Sequence, residues 1–211
     1  NSVDVKVYDK SPYALTLCTT PNPLSQISYI LSTIGIVAKK LLRITRTQSH
    51  RWSVAYQFVD DWRDIALWRC KRITNPPNRF LADPFLYQKD GIHYCFLEDY
   101  DYNIGRGCIS VYEIAAEGYK DLGVAIKEDF HLSYPFLLPY QGDLYMCPET
   151  HEARDIRLYK CVDFPLKWEL SHILIDDISA ADSNIFYKDG KWWMLTNVCS
   201  SGLHDHSNEL H

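Results

Sequence analysis

The stretch Ala82-Asp83-Pro84-Phe85-Leu86-Tyr87-Gln88-Lys89-Asp90-Gly91 recurs without a gap as Ser133-Tyr134-Pro135-Phe136-Leu137-Leu138-Pro139-Tyr140-Gln141-Gly142 and as Ala181-Asp182-Ser183-Asn184-Ile185-Phe186-Tyr187-Lys188-Asp189-Gly190. An aromatic-rich run follows each closing glycine, over residues 92–98, 143–149 and 191–197. The offsets from Asp83 to Tyr134 and from Tyr134 to Asp182 are 51 and 48 residues by subtraction. A period of that size is that of a propeller blade. Asp90-Gly91, Gln141-Gly142 and Asp189-Gly190 each sit between two apolar runs, where a tight hairpin needs residues that tolerate positive φ. Each unit therefore reads as strand, turn, strand, then a longer loop into two outer strands. Residues 108–114, 156–161 and 168–175 have the length and flanking turns of further strands.

Around this repeat the totals are those of a globular chain. Its 211 residues are 46% hydrophobic and 14% aromatic, which excludes a disordered protein. Fifteen Tyr and six Trp suit pleated sheets, and secondarily a sugar-stacking surface. The formal net charge of -5 argues against a phosphate-backbone binder, so no nucleic-acid partner is expected. Seven cysteines are scattered singly, with no C-x-x-C pair, and read as buried free thiols of a reducing compartment, with one disulfide as the alternative. With no leader and no apolar stretch of membrane-spanning length, a cytoplasmic location is expected, although the chain starts at Asn1.

Three segments are expected. Residues 1–23 read as an extended connector, broken by Pro12, Pro21 and Pro23. Residues 24–48 read as an amphipathic helix: Ile27, Ile30, Leu31, Ile34, Val37, Ala38, Leu41 and Leu42 keep three-four spacing, Ser25 can cap the start, and Lys39, Lys40, Arg43 and Arg46 lie in the second half. Its polar face carries Ser, Thr and Gln, so packing on a neighbouring domain is the favoured use and membrane-surface contact through residues 24–46 the lesser one. Residues 50–211 read as the propeller, with short strands over 52–58 and 65–70 at its start. The third unit stops inside its second hairpin, and a propeller needs at least four blades. The chain is accordingly expected to be the front part of a longer protein.

Inner strands of a propeller line a central channel, and the repeat puts Asp83, Tyr134 and Asp182 at equivalent points of those strands. A carboxylate in an apolar strand is costly unless it is paired or functional; strand capping, or pairing with Arg79, is the structural alternative. Fifteen residues further on in each unit come Glu98, Glu149 and Asn197. Glu98 opens an acidic run with Asp99 and Asp101 that reads as a solvated loop rather than a calcium site. Glu149 precedes Thr150-His151-Glu152, reads as a turn residue, and would act as a general acid only with a raised pKa. His131 is a candidate hydrogen-bond donor. His204-Asp205-His206 lacks a third ligand at a recognisable spacing, so neither metal nor cofactor is expected.

The motifs Arg79-Phe80-Leu81-Ala82-Asp83-Pro84-Phe85, Glu98-Asp99-Tyr100-Asp101-Tyr102, Gly105-Arg106-Gly107, His131-Leu132-Ser133-Tyr134-Pro135-Phe136, Cys147-Pro148-Glu149 and Ala180-Ala181-Asp182 occur in that order. Over about residues 50–211 the chain resembles the N-terminal domain of plant glucosamine inositolphosphorylceramide transferases, and of bacterial proteins that carry it, often behind a formyltransferase-like domain. That family resembles, more distantly, the five-bladed propellers of glycoside hydrolase family 43. The resemblance implies a mainly β, five-bladed propeller in which Asp83 matches a general base by motif and Asp182 matches, by blade position, an acid-tuning carboxylate. The general acid would lie beyond His211, unless Glu149 substitutes for it.

Three functions follow as expectations. The favoured one is a carbohydrate or glycolipid-headgroup recognition propeller accessory to a transferase domain, with Tyr134, His131, Glu98 and Arg79 contacting the ligand. The alternatives are a glycosidase-like enzyme using Asp83, Asp182 and Glu149, and a protein-interaction scaffold.

Overall fold

The computed structural model describes residues 22–45, 52–199 and 210. The chain divides into two units, residues 1–50 and 51–211, each taken here by itself. The connector expected over residues 1–23 lies, but for its last two residues, outside the described residues, as do Cys18 and the His204-Asp205-His206 tract.

In the first unit the helix α1 spans Pro23–Thr45. Its cap is Asn22 rather than Ser25: the Asn22 side-chain oxygen accepts the Ser25 N–H at 2.8 Å. Pro23 therefore opens the helix instead of breaking it, because the first helical position has no intrahelical use for an N–H.

The second unit is mainly β. A short ladder, β1 (Ala55–Tyr56) against β2 (Lys71–Arg72), opens it. The strand expected over 52–58 shrinks to β1, and the one expected over 65–70 is not formed, with β2 starting just after it. Two 3-10 turns, Trp62–Asp64 and Leu67–Arg69, occupy the span between. Asp61 explains the first: its side chain accepts the Arg63 N–H at 2.9 Å and gives the backbone a local alternative to a ladder.

Two four-stranded antiparallel meanders follow. The first is β3 (Arg79–Lys89), β4 (Ile92–Asp101), β5 (Arg106–Ile114) and β6 (Tyr119–Ile126); the second is β7 (Ser133–Tyr140), β8 (Asp143–Glu149), β9 (Asp155–Asp163) and β10 (Lys167–Asp176). A hairpin of β11 (Ala180–Lys188) and β12 (Lys191–Val198) begins a third. The three hairpin turns have positive φ at both central residues, 51° and 78° at Asp90-Gly91, 50° and 86° at Gln141-Gly142, and 52° and 76° at Asp189-Gly190. These are the twisted two-residue turns that the Gly positions call for.

The sheets stack through their side chains. Val54 and Ile73 pack with Leu81, Cys95, Leu97, Tyr112 and Ile114 on one face of the first sheet. Phe96, Ile109, Val111 and Ile126 of its other face meet Met146 and Tyr159 of the second. Cys147 and Ile156 of the second sheet meet Ala180 of the third. β4 is thus covered on both sides, and its period of two divides it: Cys95, Leu97 and Asp99 point one way, Phe96 and Glu98 the other. Cys70, Cys95, Cys108, Cys147 and Cys161 are free thiols.

Candidate functional site

The strands β3, β7 and β11, the first of their sheets in chain order, each carry one extra residue at the same place. In β3 the register runs Ala82 to Glu98 and then Phe85 to Phe96; in β7, Ser133 to Glu149 and then Phe136 to Cys147; in β11, Ala181 to Asn197 and then Asn184 to Leu195. Between the paired positions two residues face one, which is a β-bulge. The residues with positive φ inside these bulges are Asp83 (47°), Tyr134 (46°) and Asp182 (54°). Asp tolerates that left-handed region through its short polar side chain, whereas a tyrosine there holds strain of about 1–2 kcal/mol. The three residues singled out by the repeat are therefore the three bulge residues, and Glu98, Glu149 and Asn197 sit across the ladder from the residue before each.

The bulges are linked. The Tyr134 N–H donates to the Asp83 carboxylate, and the Tyr134 ring meets Phe85 edge-on at 4.9 Å. The Tyr134 hydroxyl and the Asn184 side-chain amide lie 3.1 Å apart. That amide also donates to the Asp182 carbonyl at 2.8 Å.

Around Asp83 the two full sheets bring together Glu98, His131, Glu149 and His151. Glu98, 6% exposed, is in a strand and not the solvated loop expected of the acidic run. Its neighbour Asp99 points to the opposite face, where Arg79 Nη1 and Ser110 Oγ reach it at 3.0 and 2.9 Å. His131 accepts the Gly107 N–H on Nδ1 at 2.8 Å, so its ring proton is on Nε2, which faces Glu98 Oε1 at 3.6 Å. Its backbone N–H donates to Glu152 Oε2 at 2.7 Å. Glu149 closes β8 rather than lying in a turn, and its Oε1 meets His151 Nδ1 at 2.7 Å. His151 is placed by a 3-10 turn, His151–Ala153, that ends on the left-handed Arg154.

Crowding the carboxylates separates their proton affinities. Burial, followed by the charges of Asp83, Glu149 and Asp99, pushes Glu98 up to about 8. Burial also raises Asp83, with Glu149 adding to it and the Tyr134 N–H and His131 opposing it. Burial lowers His131, which stays neutral, and the hydrogen bond to Glu149 raises His151. A proton-bearing Glu98 beside a more acidic Asp83 provides one hydrogen-bond donor and one acceptor, the pattern that polyol recognition and acid–base chemistry both use.

Asp83, Glu98, His131 and Glu149 are thus gathered, with Tyr134 holding Asp83 by its backbone. Arg79 is committed to Asp99 and, at 3.5 Å, to Asp101, and Asp182 is exposed in its own bulge, tied to the cluster through Asn184. His151, Glu152 and Gly107 are the members the repeat did not reveal. Their signal was proximity to Glu149 and the motif Gly105-Arg106-Gly107. Among the described residues no group of three or more His, Cys, Asp and Glu side chains is arranged to hold a metal ion.

Sheets related by a sequence repeat, with a carboxylate–histidine cluster beside the contact of β3 and β7, define a β domain that holds a polar site. The chain belongs to the family described as glucosamine inositolphosphorylceramide transferase 1, N-terminal, whose profile matches residues 42–211. It is 37% identical over 123 residues to glucosamine inositolphosphorylceramide transferase 1 of Oryza sativa subsp. indica, covering 57% of this chain and 16% of that protein. To the protein of the same name from Arabidopsis thaliana it is 33% identical over 156 residues, 72% of this chain and 19% of that protein. The chain thus spans less than one fifth of the length of these relatives. No solved structure matches it.

Proposed function

We propose that the stacked sheets are successive blades of a five-bladed propeller and that the Asp83 cluster is its carbohydrate-binding site, accessory to transfer chemistry elsewhere in a longer protein. The observation that carries this reading is the identical bulge in three inner strands, which aligns Asp83, Tyr134 and Asp182 and lets one bulge hold the next. A second pairing supports the repeat: Asn197 bridges Leu210 as Glu98 pairs with Ile109 in the ladder of β4 and β5. Carboxylates and the neutral His131 imidazole suit sugar hydroxyls, and Tyr100, whose ring lies 5.8 Å from that of His131, adds an aromatic face. The relatives' printed name makes a glycolipid headgroup the first ligand class to try.

The test is a glycan and nucleotide-sugar binding screen on the chain and on its Asp83→Ala variant. Saturable binding abolished by the substitution supports the reading; binding that Asp83→Ala leaves intact, or silence from a folded protein, moves it to an interaction scaffold. One observation favours a second reading, a glycosidase-like enzyme: Glu98 holds a proton up to about pH 8 beside the more acidic Asp83, as an acid and a base must differ. Turnover lost in Asp83→Asn with binding retained would establish it.

A further inference from the structure

From Lys10 to Val59 the sequence contains no Asp or Glu but six cations, Lys10, Lys39, Lys40, Arg43, Arg46 and Arg51, in a chain whose net charge is -5. α1 lies within this stretch and has no charged residue from Pro23 to Ala38. Its apolar positions form one stripe, Ile27, Ile30, Leu31, Ile34 and Val37, at three-four spacing. Ser25, Ser28, Ser32 and Lys39 fall on the opposite side, which Tyr29 and Ile36 share. At 23 residues it is about 35 Å long, yet no described helix is long and apolar enough to cross a membrane. Taken by itself, the unit that holds α1 has no described element to cover the stripe.

We propose that α1 is an interfacial helix that lies on the surface of an anionic lipid bilayer, its isoleucine stripe toward the acyl chains and its basic second half among the headgroups. An apolar stripe alone would accept many occupants. The charge selects among them: a second copy would bring six like cations against six, while anionic headgroups neutralise them. A helix that binds in this way places the sheets at a membrane surface, where a lipid-linked sugar would be presented. That consequence rests on the preceding reading of the Asp83 site; the docking of α1 does not.

The experiment is flotation of the full chain with phosphatidylcholine vesicles, with and without phosphatidylglycerol. Association only with the anionic vesicles, falling with salt, is expected. Replacing Lys39, Lys40, Arg43 and Arg46 with Gln should weaken it roughly fivefold for each cation removed. The pair Ile30→Asn and Ile34→Asn keeps the cations and should also release the protein, with circular dichroism confirming that the sheets are intact. Failure of the wild type to float with anionic vesicles overturns the proposal, as does equal partitioning of the four-cation variant. So does a dimer, seen by light scattering, that Ile34→Asn dissolves while neither protein floats. Sugar binding is measured separately, without vesicles, so loss of either reading leaves the other standing.

Discussion

The backbone N–H of Gly107 points at Nδ1 of His131 from 2.8 Å, and that one bond decides which side of the imidazole carries a proton. The approach depends on a missing side chain. A Cβ at residue 107 would lie 2.6 Å from the Leu132 carbonyl, 2.9 Å from His131 Cε1 and 3.1 Å from Glu98 Oε1. Gly107→Ala is therefore expected to push β5 away from the start of β7 and cost about 2–3 kcal/mol. The checks are a urea midpoint and the imidazole resonances of His131, which should lose their fixed Nε2–H tautomer.

Glu98 makes stability depend on pH. Its carboxyl is raised from 4.5 to about 8, so between those values the folded state keeps a proton that the unfolded chain has released. The stabilisation is complete below about pH 4.5 and is lost as pH rises through about 8. Glu98→Gln mimics the protonated form. It should match the wild type near pH 5 and exceed it at pH 8 and above by a few kcal/mol, of order, in thermal unfolding. A wild type that is not weakened relative to the variant on going from pH 5 to 9 would sink the assignment.

Tyr134→Phe removes the hydroxyl that meets Asn184 at 3.1 Å and leaves the ring against Phe85. A loss of about 1 kcal/mol is expected. In a double-mutant cycle with Asn184→Ala the two losses should not add, since they break the same bond. Additive losses would mean that the second and third sheets are joined some other way.

Arg79 tests the opposite face of β4. Asp99 is 2% exposed, and removing the guanidinium that meets it at 3.0 Å leaves a buried carboxylate with only Ser110 donating. Arg79→Ala should destabilise by about 3 kcal/mol. Burial already raises the Asp99 carboxyl and Arg79 opposes it, so the loss should grow as pH rises through that raised folded pKa, where the wild type ionises beside Arg79 and the variant still holds its proton. Arg79→Ala combined with Asp99→Asn should regain part of it, while Arg79→Ala alone should leave sugar binding in place.

Much of this was legible in the chain. Each turn glycine announces its hairpin because only positive φ fits a two-residue loop, and the fifteen-residue offset finds Glu98 and Glu149 because it spans one hairpin. The bulges were not legible. All three units carry the extra residue, so their gapless alignment conceals it, and Asp83 looks like a buried charge rather than a left-handed corner. Glu98 and Asp99 were misread for a different reason: two adjacent acids resemble a loop unless β4 is known to be covered on both faces. β6 escaped because Asp121 and Gly123 interrupt its alternation. The run over residues 65–70 failed because a short apolar segment does not distinguish a strand from a local turn.

A bulge residue belongs to neither of the two rows into which a strand sorts its side chains. The row before it and the row after it keep their faces whatever stands in the gap, and here the gap holds Asp, Tyr and Asp. The domain therefore presents three left-handed corners beside rows that pack without them, and each admits only what that backbone tolerates: Asp83 and Asp182 fit it through short polar side chains, while Tyr134 is held there by its ties to Asp83, Phe85 and Asn184.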